Sequence, residues 1–357
     1  MRTTLRHTIS TALLTAIVSI LPGVVRSTRA AEAPNVCDWT GLWAPGGTLA
    51  AKRDGATATT LQDGRVLVVG GYDGANTVGF AELYNPGTAS FTTTGSLITD
   101  RTAHVATLLA DGRVLVAGGI SIASGVFTAR LASAEIFDPA TGNFTAAASL
   151  GTDRQNAAAV LLANGKVLVS GGFGKTVYTY SSYLQSAEIF DPATGAFSAT
   201  GAMAAGRGVH QLTRLGSGKV LVTGGTNGAT VIKTAELFDP ATGAFTATGA
   251  MQQARDFHTA TLLPGGSVIV IGGSDNSGYL SSTELFNPST GTFSNWVSLG
   301  TARAAHTTML LPIGKLLIVG GENSTGALAS AEVTAPDGGF VPLPALPASR
   351  SDRKSVV

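Results

Sequence analysis

Three residue types recur at spacings that could carry chemistry. Arginine stands at 53, 101, 154, 207, 255 and 303, and a glutamate follows each, at 82, 135, 188, 236, 284 and 332. Guanidiniums gathered around one axis could hold a carboxylate, a sulfate or an acidic peptide through bidentate bonds, and Arg101, Arg154, Arg207 and Arg255 are the candidates for that role. One glutamate per arginine favours a different use, in which each pair is buried and holds the fold in register. His104, His210, His258 and His306 each lie three residues after an arginine, with Ala56 and Ala157 in the other two copies. Imidazole is a common metal ligand. Histidines on separate structural units are too far apart to share one ion, so packed side chains that bond backbone are expected. Tyr178, Tyr180 and Tyr183 are half of the chain's tyrosines within a few residues, and exposed phenols offer apolar area plus a hydroxyl to a sugar or peptide. None of the GxSxG, HExxH, CxxC or P-loop signatures occurs.

The elements that position these residues follow from the same repeat. A double glycine lies seventeen residues after each arginine, from Gly70-Gly71 to Gly320-Gly321. The glutamate comes twelve residues after the first glycine, or seventeen in copies two and three. Phe91, Phe144, Phe197, Phe245, Phe293 and Phe340 follow, and ten residues later the next arginine arrives, ending with Arg350. Within a unit of about fifty residues four short strands are marked off by turn signals. HTATLL alternates polar and apolar residues. Asp63-Gly64, Asp111-Gly112 and Asn164-Gly165 suit tight hairpins. Val114, Leu115 and Val116 and their equivalents suit a strand covered on both faces. DPATG after a third strand combines a preset proline φ with a glycine for the left-handed position. One such sheet cannot hide both its faces, so the sheets must stack radially. No segment sustains helical periodicity.

Arginine, strand, GG, acid-bearing strand and aromatic-led strand, in that order, resemble the kelch repeat. The resemblance is closest to the bacterial form and to the central β-propeller of galactose oxidase, and it covers roughly residues 39–350. It implies an all-β, kelch-type β-propeller with six complete four-stranded blades plus an N-terminal outer strand at 39–49. Phenylalanine usually replaces the late tryptophan of the common pattern. The sixth copy has Val333, Thr334, Ala335 and Pro336 where the others carry an aromatic and Asp or Asn, so irregular outer strands are expected there. Kelch rings of this kind close one blade from both chain ends. The N-terminal strand and Arg350 therefore imply a parent gene of at least seven blades, cut within the seventh. The last six residues, 352–357, match the translation of a common sequencing adapter and are expected to be non-native.

Residues 1–30 carry four arginines, no acid, an apolar run and small residues at the end, as a signal peptide does, with cleavage expected after Ala30. Pro22 and Gly23 interrupt the run, which is too short for a retained anchor. The expected divisions are a signal peptide at 1–30, a linker at 31–38, the propeller at 39–351 and the tail at 352–357, with a secreted, periplasmic or cell-surface location. Removing the leader takes the net charge from +1 to −3, and the scattered charges give no basic stripe for nucleic acid. Membrane insertion after leader removal is not expected. Cys37 is the only cysteine, so packing must hold the fold without an internal disulfide.

A propeller of this kind supports many activities. The function expected first is a binding scaffold for a carbohydrate or a protein or peptide, through the loop face holding residues 120–131 and 173–184, with Tyr178, Tyr180 and Tyr183 in contact. In place of a tolerated insertion, those loops would then be the specificity elements. No cofactor is expected on that reading. The resemblance also implies an enzyme alternative: a copper oxidase using two tyrosines and two histidines, one tyrosine crosslinked to cysteine, or a sialic-acid mutarotase. No Tyr–Cys arrangement can be matched here. A structural cell-surface module is the third class.

Overall fold

The computed structural model describes residues 47–175, 182–335 and 338–346. Residues 1–46 and 347–357, which hold the expected leader, linker, Cys37, Arg350 and tail, lie outside them, as do Tyr178 and Tyr180.

Among the described residues, six four-stranded antiparallel sheets follow one another, and each begins after one of the repeated arginines. In the second, Val105–Leu108, Val114–Ala117, Ala134–Asp138 and Asn143–Ala147 lie side by side in chain order. The continuously apolar second strand is buried along its whole length, as expected for a strand covered on both faces. Period-two alternation divides its side chains between neighbours. Val114 and Val116 pack with Leu67 and Val69 of the preceding sheet, while Leu115 and Ala117 pack with Val167 and Val169 of the next. Each such fully buried aliphatic side chain contributes roughly 1.5–3 kcal/mol. First strands pack against one another in sequence, Thr57–Thr60 on Val105–Leu108 and so on to Thr307–Leu310. The sheets are therefore blades arranged about an axis, first strands innermost. The fold is a kelch-type β-propeller.

The double glycines mark where one blade meets the next. In blade 4, Gly224 sits at φ +59°, and a Cβ there would collide with the carbonyl oxygen of Arg255 in blade 5. Gly225 donates its N–H to that same oxygen at 2.9 Å. The contact repeats at Gly71 with Arg101, Gly119 with Arg154, Gly172 with Arg207 and Gly273 with Arg303. Backbone meets backbone here, so neither glycine has room for a side chain.

On the outside, the late phenylalanine pairs with an aromatic on the third strand. Phe137 and Phe144 have ring centroids 4.9 Å apart, and Tyr84–Phe91, Phe190–Phe197, Phe238–Phe245 and Phe286–Phe293 match them. The irregularity expected in the sixth copy is present. Thr334 replaces the first aromatic, and its hydroxyl accepts the N–H of Leu316 at 2.9 Å. Phe340 turns to Trp296 of blade 5, with centroids 6.0 Å apart.

At the N-terminal end, residues 47–49 carry no strand pairing, although a strand was expected through 49. They nevertheless sit where the end of a preceding outer strand would. A Cβ on Gly47 would meet Ala89 and Ser90, as one on Gly95 would meet Gly142 and Asn143. Leu49 packs on Ala56 and Val68, in the place that Leu97 takes one blade later. The contact between successive first strands runs from blade 1 to blade 6, and no comparably close contact joins blade 6 back to blade 1 among the described residues.

Replacing Gly224 with alanine should destabilise the protein by at least about 2 kcal/mol, because it combines a left-handed Cβ with overpacking against Arg255. Alanine at Gly216, where a Cβ would meet nothing within 4 Å, should stay within about 0.5 kcal/mol in urea unfolding.

Candidate functional site: the channel mouth

Burial and partners separate the residues that hold the blades from those that face a ligand. Arg101, Arg207 and Arg255 are 0% exposed and Arg154 is 1% exposed. Arg255 is representative. Its Nη1 donates to the carbonyls of Gly272 at 2.7 Å and Ser282 at 3.0 Å. Its Nη2 donates to Ser282 Oγ at 3.2 Å and Glu284 Oε1 at 2.7 Å. Glu284 also accepts the backbone N–H groups of Gln252 at 2.7 Å and Gln253 at 3.1 Å, on the chain arriving from blade 4. All six arginine–glutamate pairs have N–O separations of 2.6 to 2.8 Å. Burial pulls each guanidinium below its ordinary pKa, and the glutamate opposes that shift. The geometry leaves these four arginines no surface on which to receive a ligand; pairing with the glutamates accounts for them. Sequence reasoning missed the hydroxyl two residues before the glutamate, at Ser133, Ser186, Thr234, Ser282 and Ser330. Blade 1 has Phe80 there, and its ring lies 4.5 Å from the Arg53 guanidinium, a cation–π contact in place of the hydroxyl.

The four histidines are also buried, and they bind across blades. Nε2 of His104, His210, His258 and His306 lies 2.8 to 3.1 Å from Thr57, Ser170, Thr223 and Thr259 of the preceding blade. Packed side chains were expected, and the partner hydroxyls on the neighbouring blade are what the sequence did not reveal. Burial, followed by the fields of Arg303 and Arg255, pushes the His306 pKa down to about 3. His258 is lowered in the same direction, again chiefly by burial.

The residues that directly follow the arginines lie just before the innermost strands, at the end of the axis called the mouth. Asp54, Thr102, Gln155, Gly208, Asp256 and Ala304 pair with Tyr72, Ile120, Phe173, Thr226, Ser274 and Glu322, just beyond the glycine doublets. The next residue in every blade has positive φ: Gly55, Ala103, Asn156, Val209, Phe257 and Ala305. A left-handed conformation costs a β-branched or aromatic residue about 1–2 kcal/mol, so Val209 and Phe257 are held there by their surroundings. Hydrogen bonds from Ala103 to Gly55, Asn156 to Ala103, Val209 to Asn156 and Ala305 to Phe257 link these strained residues between blades.

At this end lie the two longer connections. Residues 120–131 form a hairpin, Ile120–Ala123 with Val126–Arg130. It leans on blade 1 through Thr77 N–H to Ile122 O at 2.9 Å and Gly125 N–H to Ala75 O at 2.6 Å. Val126 and Phe127 at its tip are 64% and 53% exposed. The Arg130 guanidinium lies 4.8 Å from the Phe173 ring and 5.9 Å from that of Phe127, and it pairs with Asp153 at 3.5 Å. In blade 3, Phe173–Gly174 pairs with Ser182–Tyr183. Tyr183 was expected to be exposed; it is half-buried, edge-on to Phe173 with centroids 5.1 Å apart. Its ring reaches across blade 4. Side chains on Gly208 or Gly228 would come within 3.0 and 2.6 Å of it, so a side chain at either position would crowd the ring. Burial raises the Tyr183 phenol, and the charge of Asp256 in blade 5 raises it further. Phe127, Arg130, Phe173 and Asp256 were not singled out in the sequence. The first three fall in the two long connections, and Asp256 follows a repeated arginine.

Comparison with known proteins agrees with this architecture. The kelch motif matches residues 258–295, which run from the first strand of blade 5 to its outer strand. Among solved structures, a fungal alcohol oxidase of the AA5 family in complex with copper superposes with a TM-score of 0.67 at 18% identity, covering 84% of this chain and 67% of that one. The structure of YjhT gives a TM-score of 0.65 at 16% identity, covering 81% of this chain and 97% of that one. No curated protein sequence matches. The chain carries a kelch motif in blade 5, and its likeness to these structures is one of fold. Among the described residues no helix is long and apolar enough to cross a membrane.

A pH dependence follows from His306. An unfolded histidine titrates near 6.5, whereas this one stays neutral in the folded protein to about pH 3. Between those limits only the unfolded chain takes up the proton, so acidification removes about 1.4 kcal/mol of stability per pH unit, and nothing changes above the window. His306→Gln should flatten the pH profile of the urea midpoint between pH 6.5 and 4; an unchanged slope would show that His306 protonates as readily when folded.

Proposed function

We propose that this propeller is an exported binding scaffold that presents the mouth over blades 2 to 5 to a carbohydrate or peptide. The observation that carries this reading is the cluster formed by Phe127, Arg130, Phe173 and Tyr183, where aromatic rings, one cation and an exposed apolar tip meet on a rigid frame. Such residues combine contact area with directional polar groups. The leader-like segment at 1–30 supports export to a periplasmic, secreted or cell-surface location.

The enzyme alternative gains a fold-level parallel from the copper-bound alcohol oxidase. The described residues do not fit such a centre. The four histidines are committed to hydroxyls on neighbouring blades, and no group of three His, Cys, Asp or Glu is placed to share a metal ion among the described residues. Cys37, Tyr178 and Tyr180 lie outside them. No described residue supports a mutarotase assignment.

The test is a glycan and peptide binding panel on the full chain. Replacing Tyr178, Tyr180 and Tyr183 together with alanine, or Phe127 with serine, should weaken binding about tenfold or more while circular dichroism and the melting temperature stay close to wild type. Unchanged binding in both variants would remove this face from consideration. Absence of any ligand would favour a structural module.

A further inference from the structure

Among the described residues that directly follow the repeated arginines, Asp256 is a buried carboxylate with no counter-charge. It is 8% exposed, yet unlike each of the six repeated glutamates it forms no ion pair among the described residues. Its backbone pairs with Ser274 in both directions at 2.9 Å, and Ser274 Oγ donates to its Oδ1 at 2.6 Å, so the side chain is held in place. The preceding guanidinium, Arg255, is turned into the blade and spent on Glu284. The side-chain charge that does reach Asp256 is that of Asp275, also negative, and burial together with it raises the carboxyl pKa. The Tyr183 ring lies on the neighbouring blade, within electrostatic reach of this carboxylate. The Arg255 carbonyl bonds Gly225, the adjoining Thr226 pairs with Gly208, and the Tyr183 ring lies across Gly208 and Gly228. A fixed, uncompensated carboxylate near an aromatic ring is the chemistry that recognises an alkylammonium: the anion supplies the charge and the ring face a cation–π contact.

We propose that Asp256 and Tyr183 form a subsite for a protonated primary amine carried by the ligand. This rests on the binding-scaffold reading above and narrows it to amine-bearing ligands, either a lysine side chain or an amino sugar. A ligand of this kind supplies the positive charge that the fold withholds. An acidic sugar would meet Asp256 and Asp275 instead.

Calorimetric titration of the full chain with Nα-acetyl-lysine methylamide and with glucosamine, each against its N-acetylated form, tests the proposal. At least one free amine should bind, with its acetylated form about tenfold weaker or worse, and the amine that binds identifies the source. Asp256→Asn should lose about tenfold in affinity. Tyr183→Ala should lose severalfold, and Tyr183→Phe, which keeps the ring face, should lose little. In the absence of ligand, Asp256→Asn should melt at or above the wild-type temperature, by about 1–3 °C, because it removes an uncompensated buried charge. Equal binding of acetylated probes, no binding of either amine, an unaffected Asp256→Asn, or a lowered melting temperature for that variant would overturn the proposal. A neutral ligand that depends on Tyr183 and Phe127 but not on Asp256 would leave the scaffold reading intact and remove only this subsite.

Discussion

The buried arginine–glutamate pair is the interaction on which the rest of the structure depends. A four-stranded blade has two apolar faces and no means of fixing its angle to the next blade from packing alone. The pair supplies that means through its hydrogen bonds. The guanidinium gathers the end of the second strand and the start of the third, and the carboxylate holds the arriving chain by its N–H groups. The arginine's own carbonyl docks on the glycine doublet of the blade before. Two charges taken out of water recover their desolvation cost only when the remaining donors and acceptors find partners. Here the Nη groups do so, while Nε of Arg53, Arg154, Arg207, Arg255 and Arg303 does not. The same requirement explains the doublets. The arginine carbonyl approaches so closely that no side chain fits.

This constraint decides where function can reside. With the repeated arginines and histidines sealed between blades, the periodic residues make a frame and leave little for a ligand. Chemistry passes to the aperiodic positions: the residue after each arginine, just before the innermost strand, and the two long connections that follow the glycine doublets. Tyr183 shows how that division works. It belongs to blade 3, rests on two glycines of blade 4 and lies within electrostatic reach of Asp256 in blade 5, so three blades must hold their angles for it to be in place. A rigid frame gives such a group a fixed position at low entropic cost.

The frame was legible in the sequence because it is written six times. Arg, GG, Glu and Phe recur at spacings that fix the strand order, and the equal count of arginines and glutamates already argued for pairing. Thr334 announced the irregular outer strands of blade 6. The mouth was far less legible. That the His104 ring would meet Thr57, or that Tyr183 would lie on Gly208 and Gly228, depends on contacts between blades that are neither local nor periodic. Residues 120–131 read as a longer loop between the second and third strands, and their hairpin with Val126 and Phe127 exposed at its tip was not foreseen. Asp256 carried a faint signal, since copies one and five share aspartate after the arginine, but nothing local foretold the burial that raises the Asp256 carboxyl.

The central claim is that the repeated guanidiniums are internal fastenings and not a receptor for anions. Arginine side-chain nitrogen NMR of the folded protein, recorded with and without sulfate or citrate, addresses it most directly. The account predicts a set of Nη resonances with restricted rotation and slow solvent exchange that do not move as the anion is added. Anion-dependent shifts in those resonances, or rapid exchange with water in the free protein, would contradict it.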